Sequence, residues 1–310
     1  MTLIRQHPAE RTGVSRPWTA VLVSTLAGFL LTVVWSAEFV DSVIGENVAG
    51  ALLGREAEGT AIGGVLPGIA YAFATGLGGT FTACNIAALG ALCPVVGQPR
   101  PLATRVGAVF RPLGWLTAGM LTVSGLYGAV VGFVGTAMPQ FSTAPSAPGQ
   151  LSARSVQSMV AFGLIGLAFV WLGLASLGVV RDPLARLTRR FPNAPLVVMG
   201  ALIGGFLIGR PYGLFRQLFR DAAASHNPIY GALAFMLQSV GNIVILAVLF
   251  VLLAVVMGAR VQRWLTARPG RLALITGTAF VAVGVFTVLY WDVRLLARRE
   301  IIPWYPMIPW

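Results

Sequence analysis

Residues 59–99 read GTAIGGVLPGIAYAFATGLGGTFTACNIAALGALCPVVGQP, 41 consecutive positions without a charged side chain. A soluble domain does not tolerate such a stretch, because about a quarter of its residues are charged to keep its surface wet. A helix crossing a bilayer needs roughly 20 apolar residues, so this segment holds one span with residues to spare. Working outward, the same pattern recurs at 17–37, 112–138, 155–180, 191–209, 222–259 and 272–291; all but 112–138, which runs into a Pro-rich connector, are closed by arginine or acid. Alternation with a period of two is absent, which argues against a barrel, and a chain in lipid must otherwise satisfy its backbone within helices. The fold class predicted is therefore an all-α polytopic membrane protein. About seven transmembrane helices are expected, near 18–37, 61–83, 112–136, 156–180, 195–215, 229–257 and 272–291.

Composition agrees. The 310 residues are 56% hydrophobic and 10% charged, which excludes a cytosolic enzyme, a disordered chain and a disulfide-dense secreted module. The net charge is +12, carried by 22 basic residues that are all arginine. They lie between apolar runs rather than along one groove with aromatics, so nucleic acid is not an expected partner. With the N-terminus in the cytoplasm, the inner segments hold 14 arginines and two acids, and the outer segments eight of each. The whole positive excess then falls on one side, as topology requires. The expected location is a cell (inner or plasma) membrane, with the N-terminus cytoplasmic, the C-terminus outside and the lipid bilayer as the main surroundings.

The chain divides accordingly into a cytoplasmic segment 1–17, a first helix with an acidic outer loop at 18–60, and three helices at 61–180. A basic loop at 181–194, three more helices at 195–291 and an outer Pro/Trp tail at 292–310 complete it. The tail, IIPWYPMIPW at its end, cannot be helical and is expected to lie extended on the outer interface or against a partner. Setting the first helix aside leaves three plus three. An odd number per unit makes the units opposite in orientation, an inverted repeat whose site lies where interrupted helices meet. The interruptions are sought at Gly78-Gly79 and Gly204-Gly205, which align Cys84 with Arg210 and Asn85 with Pro211. Pro211, between Gly209 and Gly213, removes a backbone donor, and Thr82 and Asn85 offer groups to freed backbone in the first copy. Close packing of small residues explains the same glycines, including Gly205/Gly209 and Gly128/Gly132.

The chemistry-bearing residues are few. His7 and His226 are isolated, and no His/Cys/acid cluster has metal-ligand spacing, so neither metal nor cofactor is expected. Cys84 and Cys93 are nine positions apart, on opposite sides of a continuous helix and about 13.5 Å along it, too far for a disulfide unless the segment folds back. Arg210, Arg216 and Arg220 are the exception to the inside rule, with Arg216 and Arg220 on one helical face. They either solvate an outer helix or, in the case of Arg210, stand within the membrane and mark a cavity. Tyr212 adjoins the break. Gln238 and Asn242, four apart, share a face turned into the bundle.

A cysteine on a glycine-rich, broken first helix of a three-plus-three frame, in Thr82-Ala83-Cys84-Asn85-Ile86-Ala87-Ala88-Leu89, resembles the DsbD/CcdA family of transmembrane thiol–disulfide carriers. The resemblance spans roughly residues 62–291. It implies Cys84, and more weakly Cys93, as redox groups, with an extracytoplasmic thioredoxin-like or cytochrome c maturation protein as partner. The sequence departs from the family at the motif itself. Ala83 and Ala87 stand where the family has prolines, and Arg210 or Pro211 stands where it has its second cysteine. Thiol exchange needs a second sulfur, so independent catalysis is in doubt. The alternative is a small-solute or ion transporter on the same frame, with Arg210, Asn85, Gln238 and Asn242 lining an anion-tolerant path. A non-catalytic membrane subunit or scaffold is the third reading.

Overall fold

The computed structural model describes residues 14, 16–36, 47, 50–51, 65–78, 102–142, 149–209, 213–256, 264, 267 and 270–308. Its helices are α1 (Pro17–Val34), α2 (Val65–Gly78), α3 (Leu102–Val134), α4 (Ala153–Ser176), α5 (Ala185–Arg190), α6 (Ala194–Gly205), α7 (Gly213–Ala224), α8 (Pro228–Val256) and α9 (Arg271–Val288). A π turn, Leu289–Val293, carries α9 into α10 (Arg294–Arg298). No strand occurs among the described residues.

Five segments are long and apolar enough to cross a membrane: Pro17–Val34, Phe110–Ala137, Ala153–Ser176, Pro228–Leu252 and Arg271–Arg298. The protein is an all-α, multi-pass membrane protein. Of the expected second span only Val65–Gly78 lies within the described residues. The fifth, expected over 195–215 with an interruption near Gly204-Gly205 and Pro211, is broken: α6 ends in a 3₁₀ turn at Phe206–Ile208, and α7 departs at 83° to it. The seventh does not stop at Trp291. It runs through the π turn to Arg298, because the Arg294 side chain folds onto α1 rather than reaching for water.

The spans are built inside-out. On α4, Val156, Val160, Leu164, Leu167 and Trp171 form an exposed stripe at helical spacing, while Ser155, Ser158, Gly166 and Gly173 are buried. On α1 the exposed residues include Leu22, Leu26 and Leu30, and the buried ones are Ser24, Gly28 and Thr32. Lipid tails are as apolar as leucine, so helices gain by bringing small residues together and leaving large ones to lipid.

The packing is nearly symmetric. α2 packs on α8, α8 on α3, α3 on α6 and α4 on α9. Exchanging α2, α3 and α4 for α6, α8 and α9 reproduces the same set of pairs. The contacts repeat residue by residue. A methyl at Gly200 of α6 would strike the Leu116 carbonyl of α3, and one at Gly119 the Val197 carbonyl; a methyl at Gly76 of α2 would strike the Gln238 carbonyl of α8, and one at Gly241 the Phe73 carbonyl. Spacing of three separates the partners in every case. The packing thus matches Gly76 with Gly200, two positions away from the Gly78-Gly79 and Gly204-Gly205 alignment read from sequence.

The α4–α9 crossing is clearer still. Residues 166–173 read GLAFVWLG and 277–284 read GTAFVAVG. The helices run antiparallel. A Cβ at Gly166 would lie 2.9 Å from the Gly284 oxygen and one at Gly284 2.6 Å from the Gly166 oxygen. At the other end the values are 2.8 Å for Gly173 against Gly277 and 3.0 Å for the reverse. Between them Phe169 meets Phe280, its own counterpart, with ring centroids 5.8 Å apart. Backbones approach this closely only where side chains are absent.

Of the stretch assigned to the tail, 292–298 is helical; residues 301–308 are not, as expected of the Pro/Trp end, and they lie against this chain's own α1. The Tyr305 hydroxyl hydrogen-bonds that of Thr32 at 2.5 Å, and the Ile308 amide donates to the Val33 carbonyl at 3.2 Å. Arg294, 2% exposed, donates to the Thr32 and Trp35 carbonyls at 2.6 and 2.8 Å, placing a cation at the negative end of α1.

Candidate functional site

A helix that stops inside a membrane leaves carbonyls without partners, each costly in lipid. At the end of α6 these are the carbonyls of Ile208 and Gly209. Gln157 Nε2 donates to Ile208 O at 2.8 Å, Gln140 Nε2 donates to the same oxygen, and Ser158 Oγ donates to Gly209 O at 2.7 Å. Tyr127 ties the donors together: it receives Gln157 Nε2 at 3.0 Å and donates to Gln140 Oε1 at 3.1 Å. The break is therefore a built feature, held by α3, α4 and the turn Pro139–Phe141.

Beyond the break, α7 carries two faces. Leu214, Phe215, Leu218, Phe219, Ala222 and Ala223 are all buried, packed with Tyr71 of α2, Tyr127 of α3 and Phe235 of α8. Tyr71 anchors it, donating to Gln217 Oε1 at 2.9 Å and Leu214 O at 3.2 Å. Such a helix is not an outer helix solvated by its arginines. Its other face presents Arg216 and Arg220, both half-buried.

These arginines meet others that the sequence did not single out. A cavity of about 120 Å³ is lined by Arg154, Arg216 and Arg299, with Gln140, Ser155, Ser158, Phe219, Trp291 and Leu295 completing the wall. None of the described lining residues is acidic. Arg154 lies in the first turn of α4, where helix N–H groups add positive potential, and its Nη1 donates to Ser142 O at 3.0 Å. Arg216, Arg299 and Arg220 all act on its charge. Arg220 sits over the Phe141 ring, 5.6 Å from the centroid. The Nε atoms of Arg299 and Arg220 are buried and meet no acceptor. The nearest acid on α7, Asp221, is engaged by the Tyr230 hydroxyl. Guanidinium groups gathered at one cavity repel one another, and an oxyanion with several acceptor atoms relieves that repulsion through charge-assisted hydrogen bonds.

The wall opposite Arg154 is held by stacking. Trp291 lies on Phe162 at 4.7 Å between centroids and edges onto Tyr290 at 5.1 Å. The next residue, Asp292, sits on the π turn against α4, where a Cβ at Gly163 would lie 3.3 Å from its Oδ2. That oxygen is buried without a partner.

Among the expected site residues, Cys84, Cys93, Thr82, Asn85, Arg210, Pro211 and Tyr212 lie outside the described residues. Gln238 and Asn242 face the bundle interior as expected, 1% and 7% exposed, against Gly76 of α2. They do not line the arginine pocket. Gln238 Nε2 has no partner, and Gln238 stands one turn beyond Phe235, whose ring is 6.3 Å from that of Phe219 in the pocket wall. No metal-holding group of His, Cys, Asp and Glu occurs among the described residues. No family model, no curated protein and no solved structure matches this chain.

Proposed function

We propose that this protein binds a small anion in the arginine pocket and carries it across the bilayer. The observation that supports this reading most is the pocket itself: Arg154, Arg216 and Arg299 converge on a cavity of about 120 Å³ with no acidic residue in its described lining. Its size suits a phosphate, sulfate or small carboxylate and not a nucleotide. Its position beside a broken span matches the place where transporters built on helix repeats bind substrate. Ser155, Ser158 and Gln140 supply neutral groups for the remaining ligand oxygens, and Gln238 offers a further polar group deeper in the bundle. The test is uptake of labelled phosphate, sulfate and acetate into proteoliposomes, together with thermal stabilisation of the purified protein by the same ions. Stabilisation and uptake lost in Arg154→Gln and Arg299→Gln support the reading; no response to any of the ions sinks it.

A thiol carrier is the second reading. It is supported by the sequence resemblance at Thr82–Leu89 and has its own test. A mixed disulfide trapped on Cys84 with a periplasmic or extracellular thiol protein would favour it. Full function of Cys84→Ser would remove it.

A further inference from the structure

We propose that Asp292 is a proton-uptake site inside the membrane, linked to occupancy of the arginine pocket so that anion and proton bind together. The linkage rests on the anion reading above; the proton site does not.

Three observations carry it. First, Asp292 lies six residues, about 9 Å, before the end of the apolar helical run Arg271–Arg298, and an ionised carboxylate held within a membrane is costly. Second, its Oδ2 is buried and unpartnered: Arg294, two residues on, turns its Nη1 to the Thr32 and Trp35 carbonyls and its guanidinium to the Tyr290 ring, and its own Nε is left without an acceptor. Third, the backbone is shaped around it. The π turn Leu289–Val293 re-aims this stretch of helix, and Gly163 leaves room on α4 for the carboxylate. π turns inside α-helices cluster at functional sites.

Among the described residues, the charged surroundings of Asp292 are few. On its own helix stand Tyr290, Arg294, Arg298 and Arg299. α4 contributes only Arg154 near its start, and α1 has no ionisable residue between Pro17 and Val34. From the tail, Tyr305 faces Arg294 and α1. Asp292, Leu295 and Arg299 are spaced three and four apart, so they share a face, and Leu295 and Arg299 line the pocket. The carboxylate is therefore about 10 Å, two turns, below the cationic mouth.

The linkage follows from charge alone. An anion in the pocket disfavours a second negative charge on Asp292, so it favours the protonated acid. At about 10 Å and an effective dielectric near 20, the effect on proton affinity is roughly tenfold. Linkage is reciprocal, so protonation tightens anion binding by the same factor. The proton arrives from water and leaves to water; no bond other than the O–H forms or breaks.

The test uses dicyclohexylcarbodiimide, which modifies protonated carboxyls in apolar surroundings. The full chain is reconstituted in vesicles of neutral phospholipid, and adducts are located by peptide mass spectrometry. The expected result is an adduct on Asp292 that declines as pH rises and that forms roughly tenfold more at a fixed pH when inorganic phosphate is added. In an Arg154→Gln/Arg299→Gln double variant the phosphate response disappears and the pH response stays. Asp292→Asn folds without the adduct, judged by its elution as a single species. Absence of an Asp292 adduct at every pH, or one indifferent to pH, overturns the proton site. An adduct that titrates but ignores phosphate overturns the linkage and counts against the anion reading, leaving the proton site standing.

Discussion

Helix α4 takes part in two kinds of contact, and their contrast is instructive. Through its middle, Gly166 and Gly173 meet Gly284 and Gly277 of α9 in a crossing where each side mirrors the other. At its start, Arg154, Ser155 and Ser158 face Trp291, Leu295 and Arg299, and nothing is mirrored. The symmetric contact is small, apolar and dry. The asymmetric one is charged, holds a cavity and lies where α6 has been interrupted. Helices repeat where their task is to pack, and they diverge where polar groups collect.

The contrast can be broken from either side. The largest effect is expected at the symmetric crossing. Gly284→Leu forces a branched side chain against the Gly166 carbonyl and the side chain of Val170, and should cost about 3 kcal/mol or prevent folding. Size-exclusion profiles and thermal denaturation in detergent read this directly. Gly114→Leu, at a position with open space around it, should be near neutral, and equal damage from both would deny that close approach is what matters. Next comes the break. Gln157→Leu removes one of the two donors to Ile208 O, leaving Gln140 alone on it, and removes the donor to Tyr127, for about 1 kcal/mol. Faster hydrogen exchange in α7 and the turn before it would register the loss. In the pocket binding should change more than stability: Arg299→Gln should weaken oxyanion affinity roughly tenfold, while Arg190→Gln on exposed α5 should not alter it. The smallest effect belongs to the lipid stripe, where Leu164→Ile should stay within about 0.5 kcal/mol of the parent. A large loss there would mean that the stripe is a protein contact.

Much of the fold is legible in the sequence, because charge-free runs of the right length have one physical outcome in lipid. The break near Pro211 is legible for the same kind of reason, since proline and flanking glycines have local consequences. What was less visible depends on contacts between distant residues. Arg154 and Arg299 belong to no motif, and only the antiparallel meeting of α4 and α9 brings them to one cavity. Asp292 and Arg294 look like a water boundary at the end of the last span, yet the helix continues past them to Arg298. The structure instead gives the arginine two carbonyls of α1 to bind. The duplicated Ala-Phe-Val between paired glycines, at 166–173 and 277–284, is present in the sequence. The Gly-Gly pairs at 78–79 and 204–205 suggest a different register, and only backbone contacts decide between such short matches. Leu214, Phe215, Leu218 and Phe219 already outline an amphipathic helix, yet charges at Arg216 and Arg220 read as solvent until tertiary packing shows the apolar face enclosed.

The moorings of α1 bear on how the chain is made. This helix packs chiefly on α9, and its far end is closed by Arg294, Tyr305 and Ile308. It is synthesised some 250 residues before those partners. During translation α1 must therefore wait in the bilayer as a loose rod, its terminal carbonyls uncovered. A chain cut before Arg294 would leave this helix without those moorings, one rod adrift and a recognisable target for membrane proteases.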